Sequence, residues 1–245
     1  MKITVLDTSA AVALALARGV ADALRAKPGL VLGLATGRTP VAAYAELRRM
    51  HADGDGDWSV ALTFNLDEFA GVDANHPGSF CQFMQRHLFA GVNIHPSHIH
   101  FLNGAAANLD AECDRYDRAI RRAGGIDLQI LGIGGNGHIG FNEPGDALVV
   151  ATHRVTLLDS TRRDNAALFG NDLSQVPKEA LSMGMGTILQ ARRIVLVATG
   201  AQKAACIAQT VNGRITTRVP ASVLQVHRDV ELLLDRDAAA LVRPT

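Results

Sequence analysis

Short apolar runs of strand length, each separated from the next by a stretch of helical character, restrict most what this chain can fold into. Leu30–Ala35 (LVLGLA) is apolar without alternation, the pattern of a strand covered on both faces. Val60–Asn65, Ile99–Leu102, Ile126–Ile133, Arg154–Leu158, Ile194–Ala198 and Val230–Leu234 read as further strands. Helices are expected from Thr8 or Ser9 to about Ala26, from Pro40 to about Met50, over Pro77–Phe89 and Leu109–Ala123, and from Ser160 and Ala201. Lys27-Pro28-Gly29 supplies the stop for the first, and Pro40 suits the first turn of the second. Strands alternating with helices predict a doubly wound, Rossmann-like α/β fold whose mainly parallel sheet carries helices on both faces. No repeat, low-complexity tract or linker divides the chain, so a single domain over residues 1–245 is expected.

Composition narrows the function. Lys+Arg and Asp+Glu both number 24, which gives no electrostatic footprint for a polyanion or an anionic membrane. A nucleic-acid partner is therefore not expected. The longest apolar runs, Ala11–Ala17 and Ile194–Ala198, fall far short of the ~20 residues that span a bilayer, and the expected location is cytoplasmic. Cys81, Cys113 and Cys206 are odd in number and widely spaced, which fits neither a disulfide framework nor a zinc site. His95, His98 and His100 crowd one segment, but strand alternation would bring only His98 and His100 to one face, so no metal is expected there. The sequence leaves a homo-oligomer open.

Three loops that follow predicted strands carry chemistry, and in an open α/β sheet such loops share one cleft. In the first, the amides of Thr36–Thr39, the hydroxyls of Thr36 and Thr39, the open backbone of Gly37 and the guanidinium of Arg38 can surround an anion such as a phosphoryl group. The loop is shorter than a Walker A motif and lacks its Lys-Ser/Thr, which disfavours a nucleoside triphosphate. In the second, Asp67 and Glu68 stand just past a buried strand, where burial would raise a carboxyl pKa and strengthen it as a base. Adjacent residues point apart, so one of the two should face the cleft. The third loop, Leu131–Pro144, places four glycines within seven residues around His138, with Asn136, Asn142 and Glu143 beside it. Such a loop can bring backbone close to a ligand while Glu143 fixes the imidazole tautomer, an acid–base pair. A fourth segment, Gly200–Lys203, can carry Lys203 to an anion in the same cleft.

The segments GLATGRTP, TFNLDEFAG, LGIGGNGHIGFNEPG, QVPKEALSMGMGTIL and VATGAQKA occur in that order, and with them the chain resembles the glucosamine-6-phosphate deaminases from Met1 to Val242. The resemblance implies reversible conversion of glucosamine 6-phosphate to fructose 6-phosphate and ammonium, in amino-sugar catabolism, without a redox or pyridoxal cofactor. It implies that Asp67 moves the C2 proton of the open-chain sugar to C1. It also implies that His138, oriented by Glu143, opens the pyranose ring at O5 and O1, and that Thr36–Thr39 and Lys203 hold the phosphate. Asn136 stands where members carry Asp or Asn, so it can hydrogen-bond but not relay a proton.

Three departures qualify the resemblance. Arg38 occupies a position that is commonly Gly or Ser, and Ala167 stands where many deaminases place a phosphate-binding Arg, which suggests that Arg38 substitutes for it. Regulated members carry Ser-Ser and then Arg-x-Lys after the NEP motif and a longer tail. Here Asp146-Ala147 and His153-Arg154-Val155 take those places and the sequence ends at Thr245, so activation by N-acetylglucosamine 6-phosphate is not expected. A galactosamine-6-phosphate deaminase/isomerase, a 6-phosphogluconolactonase-type hydrolase and a non-catalytic sugar-phosphate sensor are the alternative readings.

Overall fold

In the computed structural model, which describes residues 1–243, the apolar runs become strands that feed two cores by strict alternation. The last two positions of the expected 1–245 extent lie outside the described residues. The strands are Lys2–Leu6 (β1), Val31–Leu34 (β2), Leu62–Asn65 (β3), Asp67–Phe69 (β4), Ile99–His100 (β5), Leu128–Leu131 (β6), His153–Thr156 (β7), Glu179–Ser182 (β8), Arg193–Ala198 (β9) and Val230–Asp235 (β10). The helices are Ser9–Ala26 (α1), Arg38–Ala52 (α2), Phe80–His87 (α3), Leu109–Arg122 (α4), Asp159–Asn165 (α5), Met185–Leu189 (α6), Ala204–Asn212 (α7) and Arg236–Ala239 (α8).

Seven strands form one sheet in the order β1-β10-β9-β6-β2-β3-β5, and every pairing in it is parallel. Along β9, Ile194, Leu196 and Ala198 enter the core covered by α4, α6, α7 and α8, while Val195 and Val197 enter the core covered by α1, α2 and α3. Side chains alternate across a strand, so a run with both parities apolar needs cover on both sides. The helices supply it. In α1, Thr8 accepts a hydrogen bond from Ala11 N at 3.1 Å as N-cap, and Val12, Leu16, Val20 and Leu24 form a buried stripe at four-residue spacing.

From β2 the chain steps outward to β3 and β5, then returns to the other side of β2 as β6. Leu32 pairs with Thr63 on one side and Leu128 on the other. The carboxyl ends of β2 and β6 therefore flank the switch point where open α/β sheets bind ligands.

A second, antiparallel sheet, β4-β8-β7, rides at that end, with Asp67 opposite Ser182. β1, β4 and β8 are strands not expected from the sequence, and Asp67 and Glu68, expected in a loop, open β4. β4 and β8 span three and four residues and begin on acidic side chains, so no unbroken apolar run marks them. Several boundaries shift: the helix expected over Pro77–Phe89 contracts to Phe80–His87, capped by Ser79, while α2 extends to begin at Arg38, two residues before Pro40. The strand expected at Arg154–Leu158 is His153–Thr156 in the small sheet. Pro96–His98 forms a single 3-10 turn, which corrects the strand alternation assumed for His98 and His100.

Candidate active site

At the end of β2, Gly37 turns the chain with φ +101° into α2, whose first turn has no side-chain cap. The uncapped amides and the positive end of a 15-residue helix are thus presented beside Arg38, which has no ion-pair partner among the described residues. Thr36 and Thr39 flank it, half-buried. Across the switch point, Lys203 ends a 3-10 turn and donates from Nζ to the Ile133 carbonyl at 2.7 Å. Burial holds the Lys203 pKa below the usual lysine value, and the charge of Arg38 pushes the same way, while Cys206 and Asp164 oppose both. The two cations lie close enough for their charges to interact, an arrangement suited to a dianion.

The chain leaves β3 through Leu66, whose N–H reaches Leu34 O and whose carbonyl accepts Met183 N–H at 2.7 Å, and enters the small sheet at Asp67. Asp67 is buried, with Oδ1 unpartnered. Burial, with the neighbouring Glu68 charge adding, pushes its pKa up to about 8. Glu68 points the other way and accepts from Ser79 Oγ at 2.7 Å and from the amides of Phe69, Phe80 and Cys81, which fixes β4 to the start of α3. Burial raises the Glu68 pKa as well, with these donors opposing.

Beyond β6 the glycine-rich loop folds on itself. Gly134 N donates to His138 O at 2.9 Å, and Asn136 Oδ1 accepts His138 N at 3.1 Å. The same Asn136 donates from Nδ2 to Glu143 Oε2 at 3.1 Å, and His138 Nδ1 lies 3.4 Å from that oxygen with no other partner. Asn136, His138 and Glu143 thus form one unit. Burial works against the charged form of Glu143, but His138, Thr161 and Asn136 together outweigh it and hold the carboxyl below its usual pKa. Asp67 and the histidine loop meet at Gly140, φ +57°, where an ideal Cβ would stand 3.0 Å from Ser182 Oγ and 3.7 Å from Asp67 Oδ2.

Asp67, Asn136, His138 and Glu143 thus lie within one network of contacts, Glu68 is turned away from it, and other residues join it. Ser182 accepts the Phe141 amide at 3.0 Å, and Ala221 N donates to Gly137 O at 2.9 Å from the 3-10 helix Pro220–Val226. Leu158 N, at the start of α5, lies 3.4 Å from Glu143 Oε1. No local signal marks these contacts, because each joins segments distant in sequence. Behind the cleft Phe69, Phe80, Phe141 and Phe169 close into a small core separate from the other two, with Phe69 4.7, 5.5 and 5.1 Å from the other three rings. His100 stacks on Phe64 at 4.5 Å, in the core on the α4 side. Among the described residues no three His, Cys, Asp or Glu side chains are arranged to hold a metal ion, and none of the helices is long and apolar enough to cross a membrane.

The chain has close counterparts among known proteins. The glucosamine-6-phosphate deaminase of Halothermothrix orenii is 49% identical over 223 residues, which cover 91% of this chain and 92% of that protein. The solved structure of a monomeric glucosamine-6-phosphate deaminase superposes with a TM-score of 0.95 at 42% identity, covering 98% of this chain and 100% of that one. 6-Phosphogluconolactonase from Thermotoga maritima, at 19% identity and a TM-score of 0.74 over 96% of this chain and 99% of that one, shares the fold alone. The family model described as glucosamine-6-phosphate isomerases/6-phosphogluconolactonase matches residues 6–233, from the end of β1 into β10, and the chain belongs to that family.

Proposed function

We propose that the protein is a cytoplasmic glucosamine-6-phosphate deaminase, acting as one domain on the sugar phosphate without a cofactor or an allosteric activator. The observation that carries the reading is a pair of carboxyls in one cleft whose pKa values are driven apart: Asp67 upward, to about 8, and Glu143 downward. Enolisation needs a strong carboxylate base at carbon, and ring opening needs a separate group that trades protons with oxygen. His138, oriented by Glu143 and Asn136, protonates O5 and accepts the O1 proton as the pyranose opens. Asp67 then takes the C2 proton and returns it to C1. His138 gives its proton back to O1 and the amino nitrogen loses one to water, so C2 is left as an iminium, which water hydrolyses to the ketone with release of ammonium.

The phosphate lies between the Thr36–Thr39 amides and Lys203 in this reading. Arg162 is not free to serve it, since its guanidinium bonds Asp159 at 3.0 Å and the Leu173 and Val176 carbonyls at 2.8 and 3.1 Å. Arg38 supplies the second charge in place of the arginine absent at Ala167. Coupled detection of ammonium and fructose 6-phosphate tests the proposal, with Asp67→Asn as control and galactosamine 6-phosphate as the epimeric comparison. Turnover of the gluco substrate that is lost in the variant is the expected result; no ammonium from wild type overturns it.

A further inference from the structure

The two acid–base centres sit on different substructures, Asp67 on the small antiparallel sheet and His138 with Glu143 on a loop of the large one. Their relative placement is therefore set by whatever joins the two. Ser182 is at the joint: it is fully buried, it faces Asp67 across the β4–β8 pairing, and its Oγ accepts the Phe141 amide at 3.0 Å and Asn142 Nδ2 at 3.5 Å while donating to Met183 O at 3.2 Å. Asn142 completes the junction, donating to Ile139 O and Met183 O at 2.9 Å each. Gly140 is pressed between this junction and the base, its would-be Cβ 3.0 Å from Ser182 Oγ and 3.7 Å from Asp67 Oδ2.

We infer that Ser182 is a positioning residue that fixes the ring-opening loop in register with the enolising carboxylate, so that one bound sugar meets both without moving. The inference rests on the deaminase reading above. It is specific about the step: loss of the hydroxyl leaves the Phe141 amide without its acceptor and frees the loop against β8, while Asp67 keeps its strand pairing. The defect should therefore appear only when both centres must act on one molecule.

The test compares two substrates in the same preparation. Deuterium incorporation at C1 in D2O with ammonium present is followed for fructose 6-phosphate, whose ring must open. It is also followed for 5-deoxyfructose 6-phosphate, which cannot close and needs only the base. Ser182→Ala should lower the rate on fructose 6-phosphate by about tenfold to about a hundredfold while the acyclic analogue stays within about twofold of wild type. Ser182→Thr, which keeps the hydroxyl, should restore the wild-type ratio. The near-isosteric Ser182→Cys, a weak acceptor, replaces the alanine variant if that fails to fold, and the same change of ratio is expected. Equal losses on both substrates, or an unchanged ratio in every variant, would overturn the inference. Wild type inactive with glucosamine 6-phosphate would instead strike the deaminase reading.

Discussion

Gly134→Ala is the sharpest test of the proposed ring-opening site, because the structure puts the His138 imidazole directly over the Gly134 Cα. An ideal Cβ there would lie 2.3 Å from His138 Cε1 and 2.5 Å from each ring nitrogen. To reach an ordinary contact of 3.4 Å the ring must withdraw by about 1.1 Å, the difference between 3.4 and 2.3 Å. It would withdraw from a place where Nδ1 already stands 3.4 Å from Glu143 Oε2. A misplacement of about 1 Å in a reacting group costs on the order of a hundredfold, or about 2.7 kcal/mol of transition-state stabilisation. Gly134 does not have positive φ, so the methyl should leave the fold intact. Gly135→Ala is the matched control, since its Cβ would meet nothing within 4 Å. The coupled assay for ammonium and fructose 6-phosphate should give a kcat about a hundredfold down in the first variant and near wild type in the second. Melting temperatures should stay close. Equal activity in the two variants would refute the placement of His138.

Other perturbations read other parts of the cleft. Asp67 has a folded-state pKa of about 8, above its unfolded value, so its neutral form favours folding; that contribution is complete below about pH 4 and is lost as pH rises towards 8. Asp67→Asn should accordingly melt higher than wild type above pH 8, by at least about 2–4 °C, with the difference fading in acid, as differential scanning calorimetry across pH would record. Exchange at C1 of fructose 6-phosphate should rise with pH through about 8, and Glu68→Gln, which removes the charge that helps to raise Asp67, should move that midpoint down. Arg38→Ala should raise KM for the sugar phosphate about tenfold or more with a smaller change in kcat, and an unchanged KM would remove Arg38 from the phosphate site.

The two-faced strands were legible because burial on both sides writes itself locally as an unbroken apolar run; Leu30–Ala35 and Ile194–Ala198 carry the signal in five or six residues. The glycine-framed loop was legible for the same reason, with Asn136, His138 and Glu143 within eight positions of one another. The small sheet was not. Asp67–Phe69 is extended because Ser182, Leu181 and Ala180 lie opposite it, and that pairing closes a span of more than a hundred residues. Ser182 and Ala221 bond the glycine-rich loop through contacts that no neighbouring residue announces.

The third core has a consequence for how the enzyme fails. Phe69 follows Asp67 by two residues, Phe141 precedes Glu143 by two, and Phe169 ends the turn after α5. All three, with Phe80, are buried against one another rather than against the parallel sheet. A cluster with its own boundary is a cooperative unit that opens at a lower free energy than the whole. Each acid–base segment is held on one flank by this cluster and on the other by Leu66 or Ile139 in the core on the α4 side, so opening of the cluster should loosen both together while the sheet still holds. Heat would then silence the chemistry before it dissolves the fold, and cooling would restore both centres at once.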